Sequence, residues 1–250
     1  MKSIHLPGIN ARYWTAITLA SVFGTNLGDF YAHDSGLGIG WGLVVLAALA
    51  GLAFAIERSD DRPHEAWYWL VIIIIRTGAT NIADYLAFRI HLQPVALGVG
   101  LVLLLALLGW FTHRTARANG DTAAKLPDTD AIYWMAMLTA GVLGTVLGDD
   151  ASHLVGKGPA SIILFALLAG ALLALRRSPS VMAYWATVGI ARTAGTAIGD
   201  FLAEGRGGMA LGLPLSSAIT GLAFVLVLIA WPRDRPGPAL ANREASVAAD

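Results

Sequence analysis

Four threonine–aspartate pairs recur along this chain at one spacing: Thr25/Asp29, Thr80/Asp84, Thr145/Asp149 and Thr196/Asp200. A hydroxyl and a carboxylate four residues apart share one face of a helix. Inside an apolar run, such groups are costly unless they serve a polar pathway or pair with something. Four residues before each threonine the same row holds Ser21, Arg76, Gly141 and Arg192, so two copies add a guanidinium and two do not. Four residues beyond the aspartates, two copies add an imidazole, His33 and His153, where the others have Phe88 and Glu204. Asp29/His33 and Asp149/His153 have a spacing that can ligate a divalent metal from one helix. The chemistry expected of the set is therefore that of a cation pathway through Thr25, Asp29, Arg76, Thr80, Asp84, Thr145, Asp149, Arg192, Thr196 and Asp200. A metal site would form from Asp29, His33, Asp149 and His153 if the first and fifth helices are neighbours.

The elements that carry these residues repeat with them. Each pair follows a Tyr-Trp dipeptide at constant distance: Tyr13-Trp14, Tyr68-Trp69, Tyr133-Trp134 and Tyr184-Trp185. Small residues precede each member of the pair, as Gly24/Gly28, Ala79/Ala83, Gly144/Gly148 and Gly195/Gly199. Small-xxx-small rows let helices approach closely, so the odd-numbered helices are expected to cluster inside, with the more apolar even-numbered helices facing lipid. A repeat this regular organises the whole fold.

The chain has 250 residues, 56% hydrophobic and 14% charged, with a mean hydropathy of +0.63. That composition belongs to an integral membrane protein. Apolar runs predict eight helices near 13–32, 39–56, 67–88, 95–111, 132–153, 160–175, 182–203 and 211–231; the pattern of the first recurs downstream, so it is a mature span and not a leader. They group as a first half, 12–111, a polar linker, 112–131, a second half, 132–231, and a polar tail, 232–250. The fold class is an all-α membrane protein of four two-helix repeats, with two four-helix halves related by a pseudo-twofold axis along the membrane normal. The Tyr-Trp pairs would then lie together at one interface as aromatic anchors. Absence of cysteine leaves oxygen and imidazole as the only metal ligands, and a net charge of zero gives no footprint for nucleic acid.

Four repeats, each with two transmembrane helices and a tryptophan, resemble a bacterial family of membrane-anchored proteins known as a repeat of unknown function. The resemblance covers about residues 12–231 through Trp14, Trp69, Trp134, Trp185 and the Gly-Thr-x-x-Gly-Asp cores, with alanines replacing both glycines in the second copy. It implies the fold and a bacterial inner membrane, but no activity, cofactor or catalytic residue.

Three functions remain open on the sequence. The first is a transporter of a small cation, a divalent metal in particular, with proton coupling through the histidines. The second is a membrane anchor or regulatory scaffold whose buried Arg and Asp groups are structural. The third is a small-anion transporter using Arg76 and Arg192. No enzyme motif is present, no cofactor is expected, and the partners expected are the bilayer, a small inorganic cation and, as a further option, a second copy of the chain. Lys2, Arg12, Arg58, Arg62, Arg114, Arg117, Lys125, Arg176, Arg177, Arg233, Arg235 and Arg243 gather on one side, against Arg89, Lys157 and Arg206 on the other. This asymmetry places both termini and the linker in the cytoplasm. A cysteine introduced at Gly120 of this cysteine-free chain should therefore resist a membrane-impermeant thiol reagent added to intact cells. Labelling from outside would overturn the topology.

Overall fold

The structure is a computed structural model that describes residues 7–33, 36, 38–59, 65–118 and 129–231, excluding the side chains of 33, 57–59 and 115–118. Eight α-helices follow one another among the described residues: α1 Ala11–His33, α2 Gly38–Ser59, α3 Glu65–Asp84, α4 Pro94–Ala118, α5 Ala131–Val155, α6 Lys157–Arg177, α7 Val181–Ala203 and α8 Leu213–Ala230. A single π-helical turn, Tyr85–Arg89, continues α3. Six of them, α2 to α6 and α8, are long and apolar enough to cross a membrane. That is consistent with a multi-pass membrane protein. Helices α1 and α7 are not in that set; they carry Arg12, Asn26 and Asp29, and Arg192 and Asp200, at the cost of apolar character.

Local sequence sets where the odd helices begin. Asn10 accepts from the Tyr13 N–H at 2.9 Å, Asp130 from that of Tyr133 at 2.8 Å, and Ser180 from that of Ala183 at 3.1 Å. Each satisfies an orphan N–H of the first turn and so fixes the helix start close to its Tyr-Trp pair. At the other end of α5 the chain reverses through Gly156 alone, at φ +88°, a conformation open to glycine.

The odd helices close into a ring in chain order, α1 against α3, α3 against α5, α5 against α7 and α7 against α1. Helices α1 and α5 are thus diagonal, as are α3 and α7. The even helices sheathe this ring, and each packs mainly on the next odd helix, not on the one before it: α2 on α3, α4 on α5, α6 on α7 and α8 on α1. The first and last helices are joined by that last contact. Arg12 of α1 reinforces it by donating to the Leu228 carbonyl of α8 at 3.1 Å, and it also ties α1 to α3 by donating to Glu65 at 2.8 Å. The sheath presents Trp41, Val95, Leu103, Ile162, Ile229 and similar residues outward.

Small residues set the ring's diameter, and they do so in one rotational sense. A Cβ added at Gly24 would lie 2.8 Å from the Cβ of Arg76, and one at Gly28 2.8 Å from that of Thr80. Gly144 faces Arg192 and Gly148 faces Thr196 in the same way. Gly195 faces Ser21, and Gly199 faces Thr25 and Asn26. Each odd helix therefore lays its small-residue row on the polar row of the next. The second copy departs, with Ala79 where the others have glycine, and the third copy compensates: Gly141 occupies the facing position, where a Cβ would lie 2.7 Å from that of Ala79. Both backbones need one Cβ fewer at this crossing, and the sequence deletes it from the partner. Gly141→Ala should cost about 1–3 kcal/mol of stability by overpacking. Ala79→Gly in the same chain should restore most of it. A double-mutant cycle in thermal unfolding measures the coupling, and additive effects would show that the two positions do not meet.

Candidate functional site

Each odd helix carries one row of residues, four apart, whose tyrosine and threonine meet those of the other odd helices at the ring's centre. In α1 the row is Tyr13, Ile17, Ser21, Thr25, Asp29; in α3 it is Tyr68, Ile72, Arg76, Thr80, Asp84. Helix α5 supplies Tyr133, Met137, Gly141, Thr145, Asp149, and α7 supplies Tyr184, Val188, Arg192, Thr196, Asp200. Successive levels are about 6 Å apart along the helices. Equal spacing on four helices makes every level a set of four groups, and the hydrogen bonds show which levels close.

At one end the four tyrosine hydroxyls form a square. Tyr13 and Tyr68 are 3.0 Å apart, Tyr68 and Tyr133 2.7 Å, Tyr133 and Tyr184 3.0 Å, and Tyr184 and Tyr13 2.7 Å. A hydroxyl has one hydrogen to give, so a square in which each donates once and accepts once uses all four. The tryptophans brace it: Trp69 packs on Tyr13 at 5.8 Å between ring centroids, Trp134 on Tyr68 at 5.6 Å, Trp185 on Tyr133 at 5.3 Å and Trp14 on Tyr184 at 5.8 Å. The Tyr-Trp pairs are not the interfacial anchors that the sequence suggests. The tyrosines are at most 1% exposed, because the anchor position coincides with the axial row. That continuity, steps of four running back from each aspartate to a tyrosine, is the signal by which sequence alone could have found the square.

Arg76 lies at the centre of the ring, fully buried. Its Nη1 donates to the hydroxyls of Thr80 at 2.9 Å and Thr145 at 3.0 Å, and its Nη2 to those of Thr196 at 2.6 Å and Thr25. One threonine from each odd helix thus takes one N–H. The hydroxyl hydrogens are directed elsewhere: Thr25 donates to the Ser21 carbonyl at 2.9 Å, and Thr196, Thr145 and Thr80 to the carbonyls one turn back at 3.3, 3.4 and 3.5 Å. The oxygens accordingly meet the axis as acceptors. Charge-assisted bonds of this kind contribute about 1.5–3 kcal/mol each, against a desolvation cost of several kcal/mol for a buried guanidinium.

Arg192, diagonal to Arg76 in the ring, has poorer company. It donates to the Ser21 hydroxyl at 3.1 Å and contacts the Met137 sulfur at 3.2 Å, while its Nε, like that of Arg76, has no hydrogen-bond partner among the described residues. Met137 belongs to the turn next to the tyrosines, so the two guanidinium groups point in opposite directions along the axis. A carboxylate partner for each arginine is the expectation a midplane charge raises. Among the described residues neither has one within ion-pair distance; the ion pairs there are Arg12–Glu65 and Lys157–Glu204. Hydroxyls reach the guanidinium first because they lie one turn nearer than the aspartates on the same rows.

Beyond the threonines lie Asp29 and Asp149, partly exposed, and Asp84 and Asp200, buried. Of the expected metal site of Asp29, His33, Asp149 and His153, the side chain of His33 lies outside the described residues, and His153 is exposed on α5, which is diagonal to α1 and not its neighbour. Among the described residues no group of three or more His, Cys, Asp or Glu could hold a metal.

Residues 12–59 and 183–235 match the family described as Repeat of Unknown Function (DUF347). These segments contain the pairs α1–α2 and α7–α8, which adjoin in the ring and carry Thr25, Asp29, Arg192, Thr196 and Asp200. The match supports a tandem-repeat family of unknown function. No curated protein and no solved structure matches the chain.

Thr196→Val keeps the shape of the side chain but removes an acceptor and leaves a guanidinium N–H unpaired. It should lower stability by about 1–3 kcal/mol, whereas Thr196→Ser should retain most of it. Thermal unfolding in detergent micelles distinguishes them, and equal effects of the two substitutions would show that the hydroxyl is not what matters.

Proposed function

We propose that this protein moves a small monovalent cation along the axis of the odd-helix ring, and that the conformation described here is closed. In this reading all eight helices span a bacterial inner membrane, with α1 and α7 tolerated despite their polar residues because the other helices surround them. Both termini and the tyrosine square lie on the cytoplasmic side, as the lysine and arginine asymmetry requires. The aspartates then form an outer mouth. The four-copy repeat is taken to extend through α3–α6, beyond the two matched segments.

The observation that carries the reading is the ring of four threonine oxygens with their hydrogens turned away, one helical turn inside four carboxylates. Rings of oxygen acceptors replace the hydration shell of a cation, and carboxylate rings concentrate cations at a mouth. Polar groups on the axis of a bilayer-spanning bundle are expensive and mark pathways by default. Arg76 occupies the cation position, and the hydroxyl square closes the path at the far end.

The same two contacts favour a second reading, a scaffold that moves nothing, since the four Nη hydrogens of Arg76 and the hydroxyls of the square all have partners as they stand. Flux decides between them. In protein-containing vesicles, rubidium uptake should exceed that of empty vesicles, and Arg76→Met should raise it about tenfold, as for a barrier lowered by about 1.4 kcal/mol. Asp29→Asn with Asp200→Asn should reduce it. If folded wild type and Arg76→Met both match empty vesicles, the transport reading fails and the scaffold stands.

A further inference from the structure

The way Arg76 is held identifies the chemistry of its ring. Four hydroxyl oxygens, from Thr25, Thr80, Thr145 and Thr196, converge from four helices, and all are buried. Each directs its hydrogen to its own helix one turn back, so each offers the axis lone pairs and no donor. A group bound there must bring the hydrogens and must tolerate full burial. An anion or a second acceptor finds nothing to bond.

The ring is also divided in a particular way. Thr80 and Thr145, on adjacent helices α3 and α5, share one nitrogen; Thr25 and Thr196, on adjacent helices α1 and α7, share the other. Two nitrogens joined through one carbon, each giving two N–H groups, form the planar fork of a guanidinium. A compact ammonium has its donors on one atom, and an alkali ion has no directional donor at all. The pairing of acceptors therefore holds a flat cation, with its two amino groups on opposite sides of the axis, better than it holds a spherical one.

We infer that the four-threonine ring is a binding site for small planar cations of the guanidinium class, filled in this conformation by the chain's own Arg76. The stem of that residue is pinned, since its Cβ and Cγ lie against Gly24 of α1. Site and tether are separable: the ring comes from four helices, whereas the resident cation comes from one. Carboxylates one turn beyond, two of them partly exposed, supply an approach that attracts cations. For its role in transport the inference rests on the cation reading above, but binding at the ring does not depend on flux.

Deleting the tether while leaving the ring tests this. Arg76→Ala keeps the Cβ against Gly24, and Arg76→Met keeps an apolar stem. Each is to be unfolded thermally in detergent micelles with guanidinium chloride, ammonium chloride or potassium chloride, at low concentrations where guanidinium does not denature. Guanidinium should raise the Tm of Arg76→Ala and, less strongly, of Arg76→Met, by mass action on the folded state. Ammonium and potassium should give smaller shifts, and the wild type, already occupied, none. Adding Thr145→Val and Thr196→Val to Arg76→Ala should abolish the guanidinium shift. If Arg76→Ala folds only when guanidinium is present, that is the same result in stronger form. Equal shifts with all three salts, a shift that survives loss of the two threonines, or no shift in either variant would overturn the inference. Flux without guanidinium binding would leave the transport reading standing and remove this one; binding without flux would do the reverse.

Discussion

A guanidinium held by four hydroxyls at the centre of an apolar molecule constrains everything around it. Arg76 cannot stay buried without hydrogen-bond partners, and its partners come from α1, α3, α5 and α7 at one level. That requirement fixes the register of all four helices. A slip of one residue in any of them would turn a threonine off the axis by about 100° and leave an N–H unpaired. The tyrosine square repeats the constraint three turns away, by neutral bonds. Between them, two levels of cross-linking make the ring a unit.

Such convergence is possible only because the helices are very close. Side chains as large as arginine and threonine lie directly against the glycines of the preceding helix, with no room for a Cβ. Where the second copy carries Ala79, the third carries Gly141 in place of a larger axial residue. The arginines themselves obey the same economy of volume. They occur in alternate copies, opposite one another across the ring, with Ser21 and Gly141 at the intervening positions. Four arginines at one level would exceed both the space and the acceptors available.

Polarity along the axis is graded. The tyrosine end is neutral and closed by its own hydrogens, the centre carries two guanidinium groups facing opposite ways, and the other end carries carboxylates with partial access to solvent. Even helices contribute little to this column. They sheathe it with apolar side chains and close the circle through α8 on α1, which places the last repeat beside the first.

Much of this was legible in the chain. Repetition of Tyr-Trp, the small-residue pairs and the Thr/Asp pairs at one spacing determined eight helices close to their observed limits, an inner set of odd helices and a common polar row. These are local properties of spacing, since residues four apart share a face whatever surrounds them. What a row meets is not local. The cyclic order of the helices decided that α1 and α5 are diagonal, and not the neighbours that a shared site of Asp29, His33, Asp149 and His153 called for. It decided that hydroxyls and not carboxylates receive the arginines, because the four threonines converge one turn nearer to Arg76 than the aspartates do. It also turned the tyrosines from a membrane interface to the axis, a choice between two environments that suit a tyrosine equally well. Sequence spacing determined which groups travel together, and only the packing of four helices around one charge decided which of them touch.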